Sequence, residues 1–300
     1  MILAHPIKDV RTHQAVYGID SQSLDRLVEH CEDSYVELYD QTFAQSLIEN
    51  PKGNQARLRS IRDLVCYTLM FLKSGITFDL AGFLIGFDRS RAHRQFCNGI
   101  RLLHYTFDLL DYLPLRSFEN TDQFDQYFEH ISVLIIDATE QRIQRPEDDE
   151  YQRQLYSGKK KTHTIKSMVI STLDRKIHYL SEAYTGGSHD FSLIKTEFPP
   201  EQKWFSGKQV RVDLGYLGFD KQYPSSTPFL PNKKPPKAQL TPLQKEQNRE
   251  LARQRISVEH VIGGIKRFDI LSHTARFHDM QLYNLTTATC AALWNFFISR

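Results

Sequence analysis

The stretch that most constrains the fold is a run of apolar residues at 131–136, ISVLII, which is followed at once by Asp137. A short and nearly continuous apolar run is typical of a central strand that is buried on both faces of a sheet. Further short strands are predicted in the second half of the chain, at 164–171, 176–184 and 210–212. We therefore predict an α/β architecture for this half.

The first half shows helical periodicity instead. Apolar side chains recur at three- and four-residue spacing in two stretches, 22–49 and 58–73, and Gly75 supplies a helix stop. Further helices are predicted at 190–198, from 242 to about 268 and at about 279–298. Residues 220–242 hold six of the twelve prolines and several lysines, so they are predicted to form an extended basic loop.

Two short helical patterns in the first half have the shape of a helix-turn-helix. Thr77 can cap a first helix over residues 78–85, with Leu80 among its buried side chains. After a turn, Asp88 or Ser90 can cap a second helix that would lie in a DNA major groove. That helix begins with four basic side chains, Arg89, Arg91, His93 and Arg94. The alternative is an ordinary helical hairpin with a basic, solvated face.

The overall charge hides a segregation along the chain. The 300 residues carry 38 Lys and Arg against 36 Asp and Glu, and a net charge of +2 argues against a strongly basic nucleic-acid binder. Successive blocks nevertheless have net charges of −6, +6, −9 and +11, at 1–50, 51–105, 106–150 and 151–300. Such blocks predict a charged partner, although solvated helix faces also produce them by chance.

Targeting and redox features are few. No secretory pattern is evident at the start, and the longest apolar stretches, such as 64–72, are far too short for a membrane span. The cysteines lack metal-ligand spacing and are predicted to be free thiols in a reducing compartment: Cys31, Cys66, Cys97 and Cys290. We expect an intracellular protein without a membrane segment.

Three acidic residues occupy positions where a carboxylate needs an explanation. Asp137 and Asp213 each follow a predicted strand, and ligand sites in α/β sheets lie at the carboxyl ends of strands. Glu259 lies within the long predicted helix. Converging carboxylates repel one another unless a divalent cation lies between them. Each acid alone could instead form a turn or, for Glu259, pair with Arg255 one helical turn earlier.

Five motifs follow one another along the chain. They are IDATEQRIQRP at 136–146, YSGKKKTHTIKS at 156–167, GGSHD at 186–190, VDLGYLGF at 212–219 and RISVEHVIGGIKRFDIL at 255–271. Together they resemble the DDE-superfamily transposases of bacterial insertion sequences and the eukaryotic PIF/Harbinger nucleases, over about residues 58–290. The resemblance implies an RNase H-like catalytic domain, with a mixed sheet flanked by helices, preceded by an all-α helix-turn-helix region.

The resemblance also implies an acidic triad, whose three positions, Asp137, Asp213 and Glu259, all hold the expected acid. The triad would hold two Mg²⁺ or Mn²⁺ ions, with Asp137 bridging both and the other two acids binding one each. The implied activity is binding of terminal inverted repeats, cleavage of the transposon ends and joining of the 3′-hydroxyl to target DNA. The implied partners are double-stranded DNA and further copies of the chain, in a bacterial cytoplasm near the nucleoid.

Basic side chains are predicted to contact DNA phosphates, since Lys and Arg neutralise backbone charge without reading sequence. Beyond the basic residues of the helix-turn-helix, they are Lys159, Lys160, Lys161, His163, Lys166, Arg255, Lys266 and Arg267. A solvated turn is the alternative for the lysine run. His189, Asp190 and Tyr216 are candidates for a second layer around the acids, although Asp190 could cap a helix and Tyr216 could pack in the core.

The predicted organisation has three parts: a helical segment at 1–57 that could support dimerisation, a helix-turn-helix region at 58–125 and the catalytic domain at 126–300. Two other functions stay open. A transposase that has lost catalysis could act as a sequence-specific DNA-binding protein, and another RNase H-like nuclease could act on branched DNA or RNA–DNA hybrids. The three intact acids argue against the first, and the basic hairpin with the helix-turn-helix favours duplex ends over the second.

Overall fold

The computed structural model describes residues 7, 9–49, 57–234, 239–277 and 279–299, and only the backbone of 254–257. The helices are α1 Val10–Tyr17, α2 Ser21–Tyr39, α3 Phe43–Glu49, α4 Ile61–Ser74, α5 Phe78–Ile85, α6 Arg89–Leu109, α7 Thr121–Tyr127, α8 Asp149–Leu155, α9 Asp190–Glu197, α10 Phe219–Gln222, α11 Pro242–Lys266 and α12 Met280–Ile298. The strands are β1 Val133–Arg142, β2 Tyr156–Ser157, β3 Thr162–Ser171, β4 Ile177–Leu180, β5 Tyr184–Thr185, β6 Gln209–Arg211 and β7 Thr227–Phe229. Short 3₁₀ turns lie at Leu214–Tyr216 and Asp269–Leu271.

The chain divides into two compact units. The first contains the described residues up to Leu113 together with those from Ile265 onward, and the second runs from Pro114 to Gly264. This division differs from the predicted one at 57/58 and 125/126. The reason is that α12 packs against α6, where the rings of Phe107 and Phe296 lie 5.8 Å apart. The end of the chain therefore shares a core with its first helices.

The two short helices predicted on either side of Gly86 are present in the first unit as α5 and α6. The Thr77 side chain accepts a hydrogen bond from the Leu80 N–H at 3.2 Å, and Asp88 caps α6 in the same way. Helix α4 ends at Gly75 in the left-handed conformation, as predicted. Leu80 itself is 45% exposed and not buried, because Ala81 lies on the face of α5 that packs inward.

The single helix predicted over 22–49 is wrong, since the structure divides it into α2 and α3. The break lies at Asp40, which takes a left-handed conformation with φ 53° and donates its N–H to the Val36 carbonyl at 2.9 Å. Aspartate tolerates this conformation better than most residues. Helix α1, which the periodicity did not reveal, begins at the capping residue Asp9.

Within the described residues, seven strands form one sheet in the second unit, with β1 at its centre. Strand β1 is antiparallel to β3 and parallel to β6, and β6 is in turn parallel to β7. Strands β2, β4 and β5 pair with the other edge of β3. Leu134 and Ile136 point into an aromatic-rich core, together with Met168 of β3 and Ile194 of α9.

Strand β1 is longer than the apolar run predicts. It continues to Arg142, so Asp137 lies in the middle of a strand and not at its end. The extension follows from β3, which pairs with every residue from Ile135 to Arg142. Backbone pairing thus carries the strand beyond the point where its sequence stops being apolar.

The segment 220–242 is not only an extended loop. It contains most of α10 and all of β7, while residues 235–238 lie outside the described part. Pro228 lies opposite Val210 in the outermost pair of this sheet path, a position where proline is tolerated because its missing N–H is not needed for pairing. Proline-rich composition concealed a strand.

The remaining elements follow the prediction closely. The strand predicted over 176–184 is divided into β4 and β5, and α11 and α12 agree with the predicted helices within about two residues. Helix α9 is also present, but its capping position is His189, whose side chain makes no capping hydrogen bond. Neither Ser188 nor Asp190 caps this helix.

His178 of β4 makes the second unit sensitive to acid. Its ring lies 3.2 Å from the Tyr127 hydroxyl and 3.1 Å from the Thr172 hydroxyl, and only 6% of the residue is exposed. Burial, with a smaller effect from the nearby Lys176 charge, lowers the pKa of His178 to about 4 from an ordinary value of 6.5. Between these two values the unfolded chain binds a proton that the folded chain does not.

We therefore expect the free energy of unfolding to fall as the pH drops from 6.5 towards 4, by up to about 3 kcal/mol from this group. Urea unfolding across this range should show a weaker pH dependence in His178→Gln than in the wild type. His130→Gln is the matched control, because that ring is 92% exposed. An identical pH dependence in wild type and His178→Gln would contradict the expectation.

Candidate active site

Asp137 lies on β1, and Asp213 lies two residues beyond the end of β6, the parallel neighbour of β1. The parallel register ends with Ile135 opposite Arg211, and each aspartate follows two residues later along its own segment. Neighbouring strands are about 4.8 Å apart, so the two aspartates follow a pair of adjacent backbone positions. Because side chains alternate along a strand, Asp137 lies on the face opposite Ile136 and the aromatic core.

Local backbone bonds orient both carboxylates. Asp213 Oδ1 accepts the Gly215 N–H at 2.7 Å, and Asp137 Oδ1 accepts the Ala138 N–H at 2.8 Å. Asp213 thereby caps the 3₁₀ turn that follows β6. A carboxylate offers about four lone-pair sites, so one backbone bond to Asp213 leaves acceptor capacity for a cation.

Glu259 is not assembled with the two aspartates. It is exposed on α11, where the neighbouring Val258 and Val261 are buried. In the described part of the chain, no group of three His, Cys, Asp or Glu side chains is close enough to hold a metal ion. The side chain of Arg255, the predicted partner of Glu259, lies outside the described residues. Two of the three predicted acids, Asp137 and Asp213, thus follow one paired position of β1 and β6.

Lys166 is buried in an ion-pair network and does not reach the surface. Its side chain is only 5% exposed, and its ammonium nitrogen lies 3.0 Å from Asp190 Oδ1 and 3.4 Å from Glu140 Oε1. It also donates to the Ser188 carbonyl at 2.7 Å. The expected contact between Lys166 and a DNA phosphate is therefore not met, because two carboxylates already take its charge.

Glu140 is a buried partner of Lys166 that the sequence analysis missed. It lies directly opposite Lys166 in the β1–β3 register. Burial raises its pKa, but hydrogen bonds from Ser157 and Thr164 and the charge of Lys166 more than offset this, so the net pKa is lowered. Its spacing of three residues from Asp137 could have revealed it only with the strand register known.

Asp190 lies beside Asp213 across a glycine. A Cβ atom placed on Gly215 would lie 2.8 Å from Asp213 Oδ1 and 3.3 Å from Asp190 Oδ2. Asp190 thus touches both the buried lysine and the turn that carries Asp213. By contrast, His189 is exposed. Tyr216 is fully buried in the core, as expected if its role is packing and not a contact with the acids.

Comparisons with known proteins identify the family of this chain. A family model described as DDE superfamily endonuclease matches residues 136–295, more than half of the chain, and this range includes all three predicted acids. The chain belongs to the DDE superfamily of endonucleases. The resemblance carried by the five motifs is thereby confirmed.

A curated relative of this DDE-family chain is the "Probable transposase for insertion sequence element IS702" from Microchaete diplosiphon. The two are 36% identical over 166 residues, which cover 55% of this chain and 57% of the relative. The match therefore spans little more than half of the relative's length. No solved structure matches the chain. None of the described helices is both long enough and apolar enough to cross a membrane.

The lysine run of this DDE-family chain lies on an exposed hairpin. Lys159, Lys160 and Lys161 form the turn between β2 and β3, which is closed by a 2.7 Å bond from the Lys161 N–H to the Ser157 carbonyl. His163 is half-buried on β3, with its ring 5.7 Å from that of Tyr156. These cations are available to solvent, as a phosphate contact requires.

An open groove next to the hairpin contains cations that the sequence analysis missed. The groove has a volume of about 570 Å³ and includes Arg145, Arg153, Tyr156 and His163 in its lining. Arg145 is fixed by a 2.8 Å hydrogen bond to the Gln152 side chain. Neither arginine belongs to a run of basic residues, so no local pattern pointed to them.

The basic side chains of α6 are only partly available. Arg89, His93 and Arg94 are exposed, with Arg89 4.0 Å from Asp79, whereas the Arg91 guanidinium stacks 4.8 Å from the Phe87 ring centre. A groove of about 620 Å³ is lined by Arg57, Arg91 and Arg94, among others. Arg57, which precedes α4, is a further cation that the sequence analysis missed.

Two basic residues follow Glu259 in the sequence. Lys266 is half-buried at the end of α11. The Arg267 guanidinium lies 4.2 Å from the centre of the Phe297 ring, so it packs on α12. Both residues belong to the first unit, whereas Glu259 belongs to the second.

Two glycines of this DDE-family chain should respond oppositely to alanine. Gly215→Ala forces a methyl group against two carboxylates, so we expect a loss of about 1–3 kcal/mol in the free energy of unfolding. Gly263→Ala is the control, because nothing lies within 4 Å of its Cβ position on α11. There alanine should stabilise by about 0.5–1 kcal/mol through helix propensity. Denaturant unfolding measures both values, and destabilisation of equal size by the two variants would contradict this account.

Proposed function

We propose that this chain is a DNA transposase that cleaves transposon ends and joins them to target DNA. The observation that carries the proposal is that Asp137 lies on β1 and Asp213 just beyond its parallel neighbour β6, within the region that matches the DDE endonuclease family. Glu259, the third acid, lies in the same matched region and in the same compact unit. The relative named as a probable transposase supports the same activity.

The sheet supports an RNase H-like assignment for the second unit. Its central strand has antiparallel neighbours on one side, β3 with β4 and β5 beyond it, and parallel neighbours on the other, β6 and β7. This mixed order places the two aspartates on the central strand and just beyond its parallel neighbour. We propose that these strands form the catalytic sheet.

The acids fit divalent cations by the chemistry of their donors. Carboxylate oxygens are the ligands that suit Mg²⁺ and Mn²⁺, and the adjacent positions of Asp137 and Asp213 would otherwise bring two negative charges together. Asp137, Asp213 and Glu259 would hold the metal. When bound, two such ions lower the pKa of an attacking water or 3′-hydroxyl and stabilise the leaving oxygen of the phosphate.

The chain itself supplies the electrostatic and positional part of the reaction. The exposed lysines between β2 and β3, with Arg145 and Arg153, would hold the DNA backbone near the sheet of their own unit. In the first unit, Arg57 and the exposed basic residues of α6 would bind the terminal inverted repeats as a helix-turn-helix. Because two ends must be held at once, we propose a dimer or larger assembly on DNA.

Removal of any one acid should abolish cleavage. We expect Asp137→Asn, Asp213→Asn and Glu259→Gln each to lower Mn²⁺-dependent nicking of a supercoiled plasmid carrying the transposon ends by more than about a hundredfold. Each variant lacks one proposed metal ligand while keeping the size of the side chain. Glu201→Gln, at an exposed acid in the same unit, should cleave as the wild type does.

The opposite outcome would point to a different function. Equal nicking by the wild type and Glu259→Gln would favour a DNA-binding protein that has lost catalysis. Preferred cleavage of branched DNA or RNA–DNA hybrids, measured on matched oligonucleotides, would favour another nuclease.

The lysine hairpin should account for part of the salt dependence of DNA binding. Replacing Lys159, Lys160 and Lys161 together by Gln should reduce the slope of log affinity against log salt by about 0.9 for each phosphate that these lysines neutralise. Fluorescence anisotropy with duplex DNA at several salt concentrations measures this slope. The charge-matched control replaces three exposed lysines elsewhere in the unit, Lys203, Lys221 and Lys245. Equal slopes for the two triple variants would refute a role for the hairpin.

A further inference from the structure

The buried charges around Lys166 have no part in the proposed chemistry, yet they end beside Asp213. Lys166 links Glu140 on β1 to Asp190 at the start of α9. These two carboxylates are 6% and 12% exposed, so the network is almost wholly removed from water. Burying one cation with two anions is unfavourable unless the geometry is well satisfied, and breaking such a network leaves an uncompensated buried charge.

Backbone hydrogen bonds of the loop that precedes α9 hold Ser188 and Asp190 next to Lys166. The Gly186 N–H donates to the Thr164 carbonyl at 2.8 Å, and the Gly187 N–H donates to the Gln154 carbonyl at 2.8 Å. A Cβ atom at Gly186 would lie 2.0 Å from the Thr164 hydroxyl oxygen, so only glycine fits there. These bonds bring the Ser188 carbonyl and the Asp190 carboxylate onto the Lys166 ammonium.

Helix α9 then meets the turn that carries Asp213. Asp190 Oδ2 faces Gly215, whose N–H holds Asp213 Oδ1, and the Phe191 ring lies 3.7 Å from the Cβ position of Gly218. The far end of α9 is fixed independently, since Glu197 accepts hydrogen bonds from the hydroxyls of Tyr179 at 2.6 Å and Tyr184 at 2.7 Å. The two ends of the helix can therefore be tested separately.

We propose that Lys166 and Asp190 are positioning residues, which hold the turn after β6 so that the Asp213 carboxylate is oriented for a divalent cation. The inference rests on the proposed function, because it concerns how Asp213 meets that cation. Lys166 fixes Asp190, Asp190 packs against Gly215, and the Gly215 N–H fixes the carboxylate. Neither positioning residue contacts DNA.

The first test uses Asp190→Asn, which keeps the shape of the side chain and removes its charge. Calorimetric titration with Mn²⁺ should give a dissociation constant about 10- to 100-fold higher than in the wild type. In the metal-free protein, hydrogen exchange of the Gly215 amide should be at least about tenfold faster, because its bond to Asp213 opens more often. Unchanged Mn²⁺ affinity and unchanged exchange would overturn the proposal.

Glu197→Gln is the matched control for a merely structural effect. It weakens the far end of α9, about 10 Å along the helix from Asp190, and should lower the melting temperature. Its Mn²⁺ affinity should stay within about twofold of the wild type. This change is much smaller than the roughly 10- to 100-fold reduction expected when a residue that orients a metal ligand is replaced. A decrease of affinity as large as that in Asp190→Asn would show that helix stability alone is responsible, which overturns the proposal.

The variant Lys166→Met distinguishes a positioning effect on Mn²⁺ binding from a purely electrostatic one. Removing a cation near Asp213 would tighten Mn²⁺ binding if only charge mattered, whereas the loss of the Asp190 anchor should weaken it. Tighter binding would therefore overturn the proposal, and Asp190→Asn keeps the test valid if Lys166→Met does not fold. If Asp213→Asn binds Mn²⁺ as tightly as the wild type, the proposed function fails as well. If Mn²⁺ binding is weaker in Asp213→Asn but unchanged in Asp190→Asn, the proposed function stands and only the positioning role of Asp190 is refuted.

Discussion

The pairing of β1 with its two neighbours is the constraint on which the candidate site depends. Antiparallel pairing with β3 runs over eight residue pairs and sets Glu140 opposite Lys166, while parallel pairing with β6 sets Ile135 opposite Arg211, two residues before each aspartate. A slip of one residue in either pairing would turn these side chains to the other face of the sheet. Because the apolar core fixes which face Leu134 and Ile136 must occupy, hydrophobic burial also determines where the acids lie.

The carboxylates on the two faces of this sheet are neutralised in different ways. On the core side, a lysine neutralises Glu140 and Asp190 inside the protein, where water cannot do so. On the other side, Asp137 lies on the face away from the core, and in our proposal a divalent cation takes the place of the lysine. Asp190 connects the two arrangements, since it contacts the lysine with one oxygen and faces Gly215 with the other.

The sequence allowed the central strand and the helix caps at Thr77 and Asp88 to be predicted, because each follows from a local pattern of residues. Other features depend on pairing with distant residues. Lys166 looks like one of a run of basic surface residues until Glu140 is placed opposite it. Strand β7 is hidden by its proline, which only an edge position permits. The position of Glu259 depends on helix packing that no local pattern encodes.

The first unit is assembled from both ends of the chain, with the second unit inserted between them. During translation, residues 114–264 leave the ribosome before α12 does, and domains generally fold as soon as they are complete. The helices near the amino terminus therefore wait for α12, whose Asn295 donates to the Tyr112 carbonyl at 2.9 Å and whose Phe296 packs on Phe107. Until then, their apolar faces are exposed to chaperones and to neighbouring chains. Synthesis thus completes the residues of the sheet before it completes those of the helical unit.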